Sequence, residues 1–569
     1  MTLFFVCERT MLRGLSIKKP DFYSGMMPEA MHKIRGYSAV QTFFPTLTTL
    51  NSDISHIQGQ EIWMNHSWRV VAADISGGTG ICSTKVQKRL STEVQSINVF
   101  LKVTHLLDPI HWIRGEYSIP NNIALPGNEK TWGAAWRKIH DIWNQAYVES
   151  VASYMVGHLC EEGISPHFNM FYGAYCARTE KYRYNLTDDY YSYRNERWFW
   201  KGYDRNRFEL FVRDPKNPNA PIPEEVHNFV FNMNENSDYS SSVNTDVSEE
   251  ELDNIVVNNY AEGSVCSAVS MSDISYTKES GSSSMSESNV SFILDNYEVY
   301  AEIKDYPVML IFTEKNDGTM EDLLTDFEMV GASPGMVEWD ERWTAWLFQI
   351  IAALACVQKI LGFTHNDLHT NNIVWATTEK EFLYYRTGMG VVYRVPTFGK
   401  IFKIIDFGRA IFTVNDKIYI SDDFREDNDA GDQYFFSPLC EKFEKEVPPN
   451  PSFDLCRLAV SLLDSLFPTK PDEIEDGDIL SRENGLVVKE TVSELYNLIW
   501  SFMIDDVGKN VYMNADESER FPNFDLYKHI AECVHVAVPA EQVTKPIFTP
   551  YIWKGAPVDA STKVYPLFC

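Results

Sequence analysis

The sequence predicts an α+β protein of two lobes, a strand-rich N-terminal half with one main helix and a mostly helical C-terminal half. Three observations lead there. At 569 residues the chain is too long for one compact core. Apolar residues fall in short strand-like runs up to Glu314 and recur mostly at helical spacing beyond it. Where the helical half begins, the chain packs His, Asp, His and two Asn into "THNDLHTNNIVW" (Thr364–Trp375), and "FKIIDFGRA" (Phe402–Ala410) follows downstream.

Composition narrows the class. Apolar residues make up 44% and aromatics 14%, ample for a globular core. The net charge of −30 argues against a general nucleic-acid binder, because Lys and Arg drive phosphate binding, although a local basic cleft is compatible with it. The ten Cys are scattered without a CxxC, which predicts reduced intracellular thiols. "PLFC" ends on its Cys and so is not a prenylation box. The start, "MTLFFVCERTMLRGL", lacks a basic n-region, and no cleaved signal is expected. One long apolar run, Thr344–Phe363, is interrupted by Gln349, Gln358 and Lys359 and reads as a core helix rather than a membrane span. A soluble, intracellular, cytoplasmic protein with no membrane span is expected.

In chain order, "RVVAADISGGTGICS" and "SINVFLKVTH" read as strands around a Gly turn. Lys138–Gly163 has apolar residues at helical spacing and Gly at its end. "HFNMFYGAYCA" and "YPVMLIFTE" (Tyr306–Glu314) read as strands flanking an insertion at about 178–295. Its first part is aromatic and charged. Its second, about 232–289, is rich in Ser, Asn, Asp and Glu and is predicted to be disordered, because it cannot bury enough surface to offset its ordering entropy. Helices are predicted over Glu338–Leu361, Phe453–Phe467 and Glu490–Ile504. The expected division is an N-terminal extension (1–65), an N-lobe with the insertion (66–314), a C-lobe (315–545) and a tail (546–569) packed on the helical lobe.

The polar cluster admits three readings. His365 and His369 have the i, i+4 spacing of a zinc helix, but no Glu follows the first His and the Asn-rich segment is loop-like. A polar loop capping a helix accounts for Asn and Asp, yet not for the paired segment downstream. Phosphoryl transfer needs a carboxylate to accept a hydroxyl proton, and an amide oxygen with a second carboxylate to hold Mg²⁺. His365-Asn366-Asp367-Leu368 with Asn372, then Asp406-Phe407-Gly408, follow the order of H-R-D-L-x-x-x-N and D-F-G.

On these motifs the chain resembles the protein-kinase superfamily over roughly 66–540, excluding the insertion. The spelling is similar to that of serine/threonine kinases encoded by large DNA viruses, which would place the protein in a host cell or virion. The resemblance implies a two-lobed protein-kinase-like fold using ATP and Mg²⁺. Asp367 would be the base, Asn372 and Asp406 the Mg²⁺ ligands, and Lys102 of "VFLKV" the phosphate-pairing Lys. Glu149 would orient Lys102, with Glu161–Glu162 as its rival at the helix end. Gly77, Gly78 and Gly80 would cover the phosphates, although Ser83 replaces the last Gly of the family pattern. Backbone groups near Thr313, Glu314 and Lys315 would meet adenine, with Glu321 or Asp322 near the ribose. Asp454 resembles the buried Asp that braces the catalytic loop, and is otherwise an N-cap or first-turn Asp.

Departures qualify this picture. Asn366 replaces the Arg that pairs with an activation-loop phosphate, so activity without that phosphate is expected, and alanine at Thr413, Ser421 and Ser437 should leave the rate unchanged. His369 replaces the usual Lys of Ser/Thr kinases, which leaves hydroxyl specificity open. "FFSPL" is a weak stand-in for the APE motif, and the long spacing between Asp367 and Asp406 predicts an extended hairpin or lid. If the acidic run Ser421–Tyr434 borders the substrate groove, basic protein substrates are favoured. Two other functions stay open: a small-molecule kinase of the aminoglycoside or choline phosphotransferase type, and a pseudokinase that only binds partners.

Overall fold

Along Ile81–Lys88 every second side chain, Cys82, Thr84 and Val86, is buried between more exposed neighbours. That period of two marks a strand with one face on a core. The computed structural model describes residues 22–25, 28–50, 61–64, 66–75, 80–117, 125–127, 133–232, 293–426, 428–483, 486–514 and 518–569.

Ile81–Lys88 belongs to a seven-stranded antiparallel sheet that forms the N-lobe. Its strands are β1 (Tyr37–Gln41), β2 (Trp68–Asp74), β3 (Ile81–Lys88), β4 (Val94–His105), β5 (Phe171–Asn185), β6 (Glu209–Arg213) and β7 (Glu298–Glu314), in the order β1-β5-β7-β4-β3-β2 with β6 added beside β7. The register sets Lys102 of β4 opposite Ile311 of β7. Strand β1, from the expected N-terminal extension, caps the β5 edge. The expected insertion begins by extending this sheet: β5 and β7 stay paired from Phe171↔Thr313 out to Asn185↔Tyr300. The segment predicted to be disordered lies outside the described residues, apart from its first residue.

The main N-lobe helix departs from the predicted span. Ala134–His140 forms one short helix, and the chain then turns into α1, Gln145–Glu161. Asn144 makes the break. Its amide nitrogen donates to the Leu106 and Lys138 carbonyls, and its Oδ1 caps the Ala146 N–H. These local bonds offer the backbone an alternative to continued helix.

The C-lobe is built on α2 (Val337–Leu361), which buries Trp339, Trp343 and Trp346. Among the described residues it is the helix long and apolar enough to cross a membrane, and 83% of its most apolar stretch is buried inside the protein. Gln349, the polar interruption, is fully buried: its amide donates to the Lys400 carbonyl and accepts the Phe402 N–H. It therefore fixes strand Lys400–Ile404 beneath the helix. Helix α3 (Phe453–Leu466) packs against α4 (Glu494–Phe502) and α5 (Asp525–Cys533), and α4 also meets α2. Helix α4 starts later than predicted, capped by Ser493, because Glu490, Thr491 and Val492 pair their backbone with Asp472, Glu473 and Ile474.

Between the two sequence motifs, Phe382–Thr387 and Val392–Pro396 form the expected hairpin. The C-terminal strand Val564–Leu567 runs parallel to Phe382–Thr387, so the tail packs on this lobe. The molecule is thus two-lobed, a curled strand-rich N-terminal sheet with a helix above a mostly helical region carrying small sheets.

Candidate active site

Lys102 points from β4 toward α1, where its Nζ lies 2.5 Å from Glu149 Oε1 and 2.8 Å from Asp406 Oδ1. Glu149 is buried one turn into α1, whereas Glu161, its sequence rival, pairs with His66 and the Ser67 N–H. Burial opposes the charge on Lys102, but Asp406 and Glu149 outweigh it and hold the ammonium well above its usual range. Burial pushes the Glu149 carboxyl up to about 7 against the pull of Lys102. At Asp406 burial again works against the charge, and Lys102 overcomes it, holding that carboxyl below the usual range.

The "THNDLHTNN" segment is fixed by Asp454, fully buried in the first turn of α3. Its carboxylate accepts the backbone N–H of His365, at 2.9 and 3.1 Å, and of Asn366, at 2.9 Å. Two backbone donors compensate the buried charge. The zinc reading loses its ligands here. His365 is buried, with one ring nitrogen bonded to the Ile405 carbonyl and the other accepting the Asp367 N–H. Asn366 adopts φ 65°, a left-handed geometry that Asn tolerates. Its amide donates to the Arg409 carbonyl and accepts the Tyr434 hydroxyl at 2.7 Å. Where an Arg was missed in the sequence, a buried neutral brace joins three segments.

Asp367 Oδ1 accepts the Tyr527 hydroxyl at 2.9 Å, and that hydroxyl in turn accepts Arg457 Nε at 2.9 Å. Asn372 donates its amide nitrogen to the Asp367 carbonyl at 2.9 Å and to His369 Nε2 at 3.1 Å. The carbonyl acceptor identifies that atom as the nitrogen. His369 Nε2 therefore accepts, and burial, which lowers the pKa of His369, favours the neutral ring this requires. The residue with no assignable role in the sequence orients Asn372.

Beside these groups lies a cavity of about 430 Å³ between the lobes. Ile81, Val156, Ile311 and Val374 give it apolar walls, and Lys102, Asn372 and Asp406 share its lining. Thr313 and Lys315 line it too. Glu314 does not: its carboxylate takes Lys403 Nζ at 2.6 Å and its N–H bonds the Met170 carbonyl. Glu321 is spent on Thr370, and Asp322 forms a capping box with Thr319. Gly80, with φ 72°, lies where a Cβ would come 2.9 Å from Phe100 Cε2. Gly77 and Gly78 lie outside the described residues. The oxygen donors Asp406 and Asn372 suit a hard cation such as Mg²⁺, and the apolar walls suit a flat base.

Sequence reasoning missed Tyr527, Arg457 and Asp422. Tyr527 reaches Asp367 from 160 positions downstream, a pairing that no local pattern encodes. Asp422 sits in an acidic run that looks like a solvated face, yet it is 2% exposed.

No protein-family model matches the chain. Over 216 residues it is 25% identical to a protein of Invertebrate iridescent virus 6 named as a probable serine/threonine-protein kinase. The match covers 37% of this chain and 36% of that protein, so the chain spans little more than a third of the relative. The two-lobed architecture and this partial match support a divergent relationship of the chain to the protein-kinase superfamily.

Proposed function

We infer that the protein is an ATP- and Mg²⁺-dependent protein kinase that phosphorylates Ser or Thr hydroxyls. The observation that carries this is the convergence of Glu149 and Asp406 on Lys102 Nζ, at 2.5 and 2.8 Å, at the edge of one interlobe cavity. Asn372 and Asp406 would hold Mg²⁺, which when bound offsets phosphate charge. Lys102, oriented by Glu149, neutralises phosphate oxygens. Asp367 accepts the proton of the attacking hydroxyl, and Tyr527 and Asp454 fix its loop. The apolar cavity walls receive adenine and exclude water from that end.

Protein rather than small-molecule acceptors are favoured by the exposed carboxylates Glu426, Asp429 and Asp432 after Gly408, a surface suited to basic segments. The inward bonds of Asn366 support activity without a phosphorylated activation segment. Incubation with ATP labelled at the γ-phosphate, a mixed protein extract, and aminoglycoside and choline acceptors separates the readings. Label on protein, faster for basic than for acidic peptides, is expected. Label only on small molecules, or ATP binding without any transfer, contradicts it.

A further inference from the structure

The segment after Asp406-Phe407-Gly408 grips the start of α1. Asp422 Oδ1 accepts the N–H of Gln145, the first residue of α1, at 2.9 Å, and its Oδ2 takes the Lys138 ammonium. The Asp422 N–H donates to the Trp143 carbonyl at 2.8 Å. Asp423 Oδ2 accepts Gln145 Nε2 at 2.7 Å and lies 3.5 Å from Arg409 Nε. Arg425 pairs with Asp141. Apart from Arg409, the partners in these contacts fall within residues 138–145, and Glu149 stands one helical turn further along α1.

Asp422 is nearly fully buried, so its charge is costly unless partnered, and Lys138 with a helix N-terminal N–H are such partners. A solvated acidic face has no such geometry. Two adjacent carboxylates supply about the charge that one phosphorylated side chain would carry. The Asn366 position offers no cation to such a phosphate, because its amide is committed to Arg409 and Tyr434.

We propose that Asp422 is a positioning residue: an encoded carboxylate that holds α1 by its first turn in the register that pairs Glu149 with Lys102. Asp423 supports it through Gln145 and Arg409. The paired, nucleotide-ready arrangement is then built into the chain and needs no modification of this segment. This rests on the reading of Lys102 and Glu149 as phosphate-positioning groups.

The test is a double-mutant cycle between Asp422→Asn and Glu149→Gln, reading phosphate transfer, affinity for a fluorescent ATP analogue, and thermal midpoint. In the otherwise native chain Asp422→Asn should cut transfer by at least about tenfold and weaken the analogue. In the Glu149→Gln background the same substitution should change neither, although its effect on the thermal midpoint persists. Equal losses in both backgrounds, or no loss in the native background, overturn the proposal. If Asp422→Asn fails to fold, Lys138→Met, which leaves the backbone cap intact, enters the same cycle with the same criteria. Should the native chain transfer no phosphate, the kinase reading fails, and analogue affinity alone decides: equal affinity of native and variant protein overturns the positioning role.

Discussion

Glu149 shows how burial and charge combine at a single side chain. The fully buried carboxyl is raised to about 7 by burial although Lys102 lies 2.5 Å away. Below that value it carries a proton and loses its attraction for Lys102; above it the carboxylate holds the ammonium in place. Nucleotide affinity should therefore rise between pH 6 and pH 8, about the titration range of such a group. Titrating a fluorescent ATP analogue across that range checks it, and Glu149→Gln should flatten this rise. Tyr527 makes a second residue-scale case. Tyr527→Phe removes the hydroxyl that holds Asp367 but leaves the cavity untouched, so kcat should fall by about ten- to a hundredfold, the cost of one hydrogen bond to a charged group, with KM for ATP unchanged. Steady-state kinetics decide it, and an equal loss in ATP affinity would contradict the role.

At the scale of elements, α1 matters because it carries Glu149, and Asn144 decides where it begins. Asn144→Ala deletes the N-cap and the ties to Leu106 and Lys138, and should cost about 1–2 kcal/mol in denaturant unfolding. The segment after Gly408 gives a sharper contrast. Thr413 lies in a strand of this segment and Ser437 is exposed, and alanine at either should leave initial rates unchanged. Ser421 differs from both: it is buried and its Oγ caps the Asp423 N–H, so alanine there lowers stability before it reports on regulation. The sequence expectation grouped the three hydroxyls; burial separates them.

Across the whole molecule, what was legible in the sequence followed from local periodicity and spacing. Two lobes, the Lys102 strand, the buried α2 and the hairpin before Asp406 could be read from runs of a few residues, whereas the Asp454 brace came only with the family resemblance. The break before α1 could not, because "DIWN" keeps an apolar spacing while Asn144 diverts the backbone. Nor could the partners of Asp367 and Gln145, since Tyr527 and Asp422 reach them across 160 and 277 positions. His369 and Asn366 looked like losses from the family pattern; both are used, one on Asn372 and the other on Tyr434. The most direct test of the account compares the native chain with Asp367→Asn for nucleotide affinity and transfer of labelled γ-phosphate to protein. Because Asp367 does not line the cavity, affinity should be unchanged while transfer falls by about 10²–10⁴-fold. Transfer at the native rate by Asp367→Asn, or none by the native chain, would contradict the account.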